Sequence, residues 1–128
     1  MRIFKNKAFT RFAKKSGIDD TSLCKAVNEA ARGLVAADLG GGVIKQRVAR
    51  SGGGKSGGFR TLILLRIGTL AFFVHGFAKN EQDNIDTDEL VALKKLATHL
   101  LAYDAVALER ALANKTLIEV LCDDQTIP

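Results

Sequence analysis

Ala8, Phe9, Phe12 and Ala13 recur at helical spacing over residues 5–16, and Gly17 stops the pattern, which predicts a short amphipathic helix. Asp19, Asp20, Thr21 and Ser22 then supply N-cap chemistry for a second helix whose apolar face holds Leu23, Val27, Ala30, Leu34 and Val35. This helix is expected to end before Gly40-Gly41-Gly42, because three successive glycines cost too much backbone entropy to be carried in a helix.

From Val43 the period changes to two. Ile44 and Val48 alternate with Lys45 and Arg47, the pattern of a strand with one apolar and one charged face. Residues 51–58 hold five glycines and read as a loop. Residues 59–67 and 69–77, rich in β-branched, aromatic and leucine side chains and separated by Gly68, predict an antiparallel hairpin at the sheet centre, giving a three-strand meander.

Asp86, Thr87, Asp88 and Glu89 cap and charge the start of a third helix, whose apolar stripe is Leu90, Leu93, Leu96, Ala97, Leu100 and Leu101. Asp104 opens a fourth, shorter helix that Asn114 ends. Residues 116–121 fit either a final strand or an apolar strap across the core. The expected architecture is α+β, one domain over residues 1–128, since 128 residues leave no room for a second core of useful size.

Charge divides the chain. Residues 1–79 carry fifteen basic and four acidic side chains, a net +11, while residues 80–128 carry four basic and ten acidic, a net −6. A polyanion would therefore meet one side of the molecule only. Cys24 and Cys122, far apart and outside any CxxC pair, read as packing residues with neither a zinc site nor a disulfide framework. The first residues lack the apolar stretch of a secretory signal, and the most apolar run, residues 61–77, is interrupted by Arg66 and Gly68 and falls short of the ~20 residues of a bilayer span. The expectation is a cytoplasmic protein with no membrane contact.

Gly54-Lys55-Ser56 imitates the end of a phosphate-binding loop, but Ala49 stands where the first glycine belongs and a strand, not a helix, follows. Both counts speak against a nucleoside triphosphatase. The wider segment is more telling: between Asp38 and Glu81 there is no carboxylate, yet Lys45, Arg47, Arg50, Lys55, Arg60, Arg66 and Lys79 all lie there. Alternation places Lys45 and Arg47 on one face, and antiparallel order returns Lys79 to the hairpin end where Arg60 begins. A concave cationic site results, suited to a phosphodiester.

This region holds one histidine and no Asp, Glu or Cys, so metal-assisted hydrolysis is not indicated and no cofactor is called for. RNA brings its own nucleophile, the 2′-OH, and needs only a base, an acid and cations for the phosphorane. His75 shares strand parity with Phe73 and Phe77 and reads as a structural histidine; Arg66 reads as a strand-end surface charge.

Three blocks taken in order, 39–50 (LGGGVIKQRVAR), 54–60 (GKSGGFR) and 73–81 (FVHGFAKNE), resemble the RelE/HigB-type toxins of bacterial type II toxin-antitoxin modules, in their phage-related subgroup. The resemblance extends over essentially the whole chain. It implies the small RelE/ParE-like fold, a twisted antiparallel sheet with two N-terminal helices on one side and a C-terminal helical segment. The implied activity is cleavage of mRNA on the ribosome, and the implied partner is a cognate antitoxin, a helix-turn-helix protein from the adjacent gene. Lys45, Arg47, Lys55, Arg60 and Lys79 match the family's basic cleft, with Arg60 and Lys79 expected in catalysis and Lys45, Arg47, Arg50 and Lys55 in holding RNA. The alternatives carried by the same resemblance are a gyrase-directed ParE-like toxin and an RNA-binding module without catalysis.

Overall fold

A computed structural model describes residues 1–49, 58–78 and 85–122. The elements run β1 (Arg2–Asn6), α1 (Lys7–Ser16), α2 (Asp20–Ala31), β2 (Ala37–Gly40), β3 (Val43–Val48), β4 (Phe59–Arg66), β5 (Leu70–Ala78), α3 (Thr87–Leu100), α4 (Ala105–Ala113) and β6 (Leu117–Glu119). Among the described residues the strands form one six-stranded sheet in the order β2-β3-β4-β5-β1-β6. The α+β class and the central β3-β4-β5 meander are as expected from the sequence.

The sheet is mixed rather than antiparallel throughout. β1 runs parallel to β5, with Ile3 opposite Ala71 and Phe4 opposite Phe72, and antiparallel to β6. Ile3 belongs to the apolar cluster beneath α1 and α2, whereas Phe4 belongs to the cluster on the α3 and α4 side. A strand apolar on both faces is stable only inside a sheet, which places β1 between two neighbours. With just two apolar residues in five, its start carries no alternation from which a strand could be read.

The helices cover both faces. On one side Phe9 and Ala13 of α1 and Leu23, Val27 and Ala30 of α2 pack with Ile44, Val48, Ile63 and Phe73; on the other, Ala97, Leu100, Leu108 and Ala111 pack with Val43, Leu64, Phe72 and Leu117. Each helix starts on a side-chain cap: Asn6, Asp19, Asp86 and Asp104 accept hydrogen bonds from the backbone N–H groups of Phe9, Ser22, Glu89 and Ala107.

The second helix stops earlier than its apolar face suggests. Gly33 takes φ +86°, its N–H donates to Ala30 O, and the Leu34 N–H donates to Glu29 O, the paired bonds of a Schellman end. Leu34 and Val35 therefore leave the helix, and the following residues make β2, an edge strand absent from the sequence reading. Gln46, buried in β3, holds this exit: its amide donates to Ala26 O and Leu34 O, and its carbonyl accepts from Ala36 N–H. The glycine run does not end a helix but turns the β2-β3 hairpin, with Gly41 and Gly42 both at positive φ between the paired Gly40 and Val43.

Cys24 and Cys122, expected to pack as free thiols, are joined by a disulfide that spans 98 residues. Both do pack against the core. What brings them together is β6: its pairing with β1 carries the chain back across α2, where Val120 N–H donates to Ile3 O at 2.8 Å and Leu121 N–H to Asp20 Oδ2 at 3.0 Å. Sequence separation alone does not reveal such a return.

Candidate nucleic-acid interface

Strand alternation puts Lys45 and Arg47 on the same face of β3 as Val43, the face that α3 covers. Burial falls along this face, from buried Val43 through half-buried Lys45 to exposed Arg47. The β3-β4 register sets Arg47 opposite Arg60 and Lys45 opposite Leu62. The β4-β5 register then sets Arg60 opposite Phe77 and Leu62 opposite His75. Two adjacent rows cross three strands: Arg47, Arg60 and Phe77 in one, Lys45, Leu62 and His75 in the next.

The register between β4 and β5 shifts after Leu62, so that His75 faces Leu62 while Phe73 faces Ile63, and Val74 is the extra residue. This bulge corrects the simple parity expected for His75. Phe73 points to the α1 and α2 side, whereas Val74 and His75 both line the α3 side. Gly76 then faces α1, where the ring of Phe12 lies against it in the space a Cβ would take. His75 thus sits beside Phe77, with ring centroids 5.8 Å apart, on the cationic face.

A cavity of about 240 Å³ opens next to these rows, lined by Leu62, Val74, His75, Ile85, Glu89, Ala92 and Leu93. Nε2 of His75 is buried and meets no hydrogen-bond partner among the described residues. Glu89, from the first turn of α3, stands at the cavity's edge. Its carboxyl shares a hydrogen bond with that of Asp86, which raises Glu89 above the usual carboxylate range; the nearby His75 opposes this. Asp86 is held below its usual range, chiefly because it accepts the backbone N–H of Glu89.

Of the residues singled out in the sequence, Lys45, Arg47 and Arg60 come together on one face; Arg50, Lys55 and Lys79 lie outside the described residues. Arg66 is exposed at the far end of β4, opposite Leu70, as expected of a surface charge. Arg2 pairs with Glu109 and Glu119, and Lys5 with Asp20, all away from Arg47 and Arg60. Two guanidiniums in register with no carboxylate between them could hold an anion, because like charges directly opposed on a sheet repel unless a counter-charge joins them.

The contribution of His75 and Glu89 to this face was not legible in the sequence, since it depends on the bulge at Val74 and on where α3 docks. Among the described residues, no group of three or more His, Cys, Asp or Glu side chains is placed to hold a metal ion, and no helix is long and apolar enough to cross a membrane.

The chain matches, over residues 1–120, the family model described as the RelE toxin of the RelE/RelB toxin-antitoxin system. No curated protein matches it.

Proposed function

The chain belongs to the RelE toxin family, the toxin side of a toxin-antitoxin system, and from that premise we propose that it is a ribosome-associated mRNA endonuclease whose cationic sheet face binds and cleaves the RNA strand. The observation that carries this reading is the in-register pair Arg47 and Arg60, flanked by Lys45, with no carboxylate from residue 39 to residue 80. Such a face attracts a polyanion along its backbone and offers guanidinium donors where phosphorane charge develops.

The chemistry is an internal transfer. The 2′-OH loses its proton to a base and attacks the adjacent phosphorus; the bond to the 5′-oxygen breaks, and that oxygen leaves with a proton from an acid. The products are a 2′,3′-cyclic phosphate and a 5′-hydroxyl, and no metal ion or cofactor enters the balance. Arg60, permanently charged, stabilises the phosphorane, and Lys79 is assigned as its partner in proton transfer or charge stabilisation. Lys45, Arg47, Arg50 and Lys55 hold the flanking phosphates.

The family is one of toxin and antitoxin pairs, so a RelB-type antitoxin is the cognate partner. We assign its gene to the neighbouring reading frame, as a helix-turn-helix protein that masks the cationic face. The test is induced expression with mapping of mRNA 5′ ends. Codon-linked cuts bearing 5′-hydroxyls are expected, and purified chain with ribosomes is expected to cut equally after chelation of metals not needed for ribosome integrity. Growth arrest with intact mRNA and damaged DNA would instead identify a gyrase-directed toxin.

A further inference from the structure

We propose that the cavity between β4, β5 and α3 takes one unpaired nucleobase of the bound strand and selects a base that carries an exocyclic amine. This rests on the reading of the cationic face as an RNA site, and adds to it a place where sequence is read.

Size comes first. A volume of about 240 Å³ corresponds to roughly eight water molecules at ~30 Å³ each, and lies below the ~300–1,000 Å³ of pockets for larger ligands. One heterocyclic base fits; a dinucleotide does not. The walls suit a flat ring, because Leu62, Val74, Ile85 and Leu93 are apolar, and among the described lining residues only His75 and Glu89 offer polar side-chain groups.

Those two groups define the edge of the ligand. Nε2 of His75 is buried with no partner among the described residues, and buried polar atoms in native structures are ordinarily satisfied. An ordered water would need two to four polar partners, and the described lining supplies an imidazole and a carboxylate. A base satisfies the imidazole with a ring nitrogen or a carbonyl, since either tautomer of His75 presents one hydrogen-bonding function at Nε2. At the rim the Glu89 carboxylate accepts from an exocyclic amine, as carboxylates do from N4 of cytosine. Uracil would turn a carbonyl oxygen towards it and lose that bond.

Position completes the argument. His75, Leu62 and Lys45 occupy one cross-strand row, and Arg60 and Arg47 the next, so a base in the cavity leaves its sugar and phosphate beside the cations. The bulge at Val74 brings His75 to this side. Bulges that re-aim a side chain recur beside functional sites.

The experiment compares 2′-O-methyl oligocytidine with 2′-O-methyl oligouridine, strands that differ at the exocyclic amine and the adjacent N3 and cannot be cut by 2′-OH attack. Binding to the full chain is followed by fluorescence anisotropy. Oligocytidine is expected to bind about 10- to 100-fold more tightly, the worth of a hydrogen bond to a charged group. Ala92→Phe fills the cavity from an exposed position on α3. It is expected to abolish the difference, so that oligocytidine and oligouridine bind the variant with equal affinity. Equal affinities in the parent, or a preference that survives Ala92→Phe, overturns the base pocket. If affinities are equal yet fall together in Arg60→Ala, the RNA-binding reading stands without the pocket; if neither strand binds at low salt, both fall.

Discussion

Arg47 and Arg60 stand directly opposite each other on β3 and β4, and neither guanidinium has a hydrogen-bond or ion-pair partner among the described residues. Like charges so opposed cost a fold up to about 1 kcal/mol. A phosphate between them turns that repulsion into a clamp. Arg60→Ala is therefore expected to leave thermal stability unchanged or slightly higher while reducing RNA cleavage by about 10²-fold or more. Paired measurements of melting temperature and single-turnover cleavage check this, and a well-folded variant with full activity would show that the reacting phosphate lies elsewhere.

Lys45 and Arg47 are expected to act on affinity rather than on chemistry, because strand alternation places them on the same face as Arg60, where the proposed RNA strand would run. Their Ala variants are expected to weaken binding to all sequences equally and to lower the slope of log K against log salt by about one each, or less. Titrations of a noncleavable strand at several salt concentrations measure this. Loss of affinity for one sequence only, with the slope intact, would assign these residues to base contacts instead.

Much of this architecture was legible because local rules and tertiary packing agree. Gly17 ends α1 as expected, Asp86 and Asp104 cap α3 and α4, and the Lys45/Arg47 alternation survives intact in β3. The misses are places where a local signal was outweighed or silent. Gly33 ends α2 through two backbone bonds, although Leu34 and Val35 continue the apolar spacing. β1 owes its place to partners distant in the chain, β5 and β6. For the site, the cations were visible from the lack of carboxylates, but one inserted residue at Val74 reversed the face of His75, and no pattern in residues 69–77 announces that insertion.

A prediction about pH follows from α3. Asp86 is below its usual range because it accepts the Glu89 N–H, so the folded state holds the ionised form better than the unfolded chain does. Its stabilising contribution is fully present above the ordinary aspartate range and fades as pH falls through the lowered folded value. Glu89, raised by Asp86, works in the opposite sense: it favours the folded state when protonated and opposes it once ionised. Asp86→Ala removes both effects together with the cap. The variant is expected to melt below the parent near neutral pH, with the gap narrowing as pH falls below about 4. Thermal melts across that range test it, and a gap that stays constant as pH falls would mean that the cap acts without its charge.

The disulfide between Cys24 and Cys122 leads to a prediction that separates stability from function. It closes a loop of 98 residues, for which chain entropy gives up to about 4.7 kcal/mol and measured cases typically 2–4 kcal/mol. What it secures is the outer edge of the sheet, where β6 pairs with β1 over three residue positions. That edge has other ties: Arg2 donates twice to Glu119, at 2.9 Å each, and Leu121 N–H donates to Asp20 Oδ2. The Cys24→Ala/Cys122→Ala variant is therefore expected to remain folded, to lose about 2–4 kcal/mol of stability, and to show its fastest amide exchange in β6. RNA binding and its salt slope are expected to be unchanged, because Arg47 and Arg60 lie on β3 and β4, separated from β6 by β5 and β1. Denaturant melts with and without reductant, joined to hydrogen exchange, measure each part. A double variant as stable as the oxidised parent would mean that the hydrogen bonds and ion pair already hold this edge, and a changed salt slope would mean that β6 and the cationic face are coupled across the sheet.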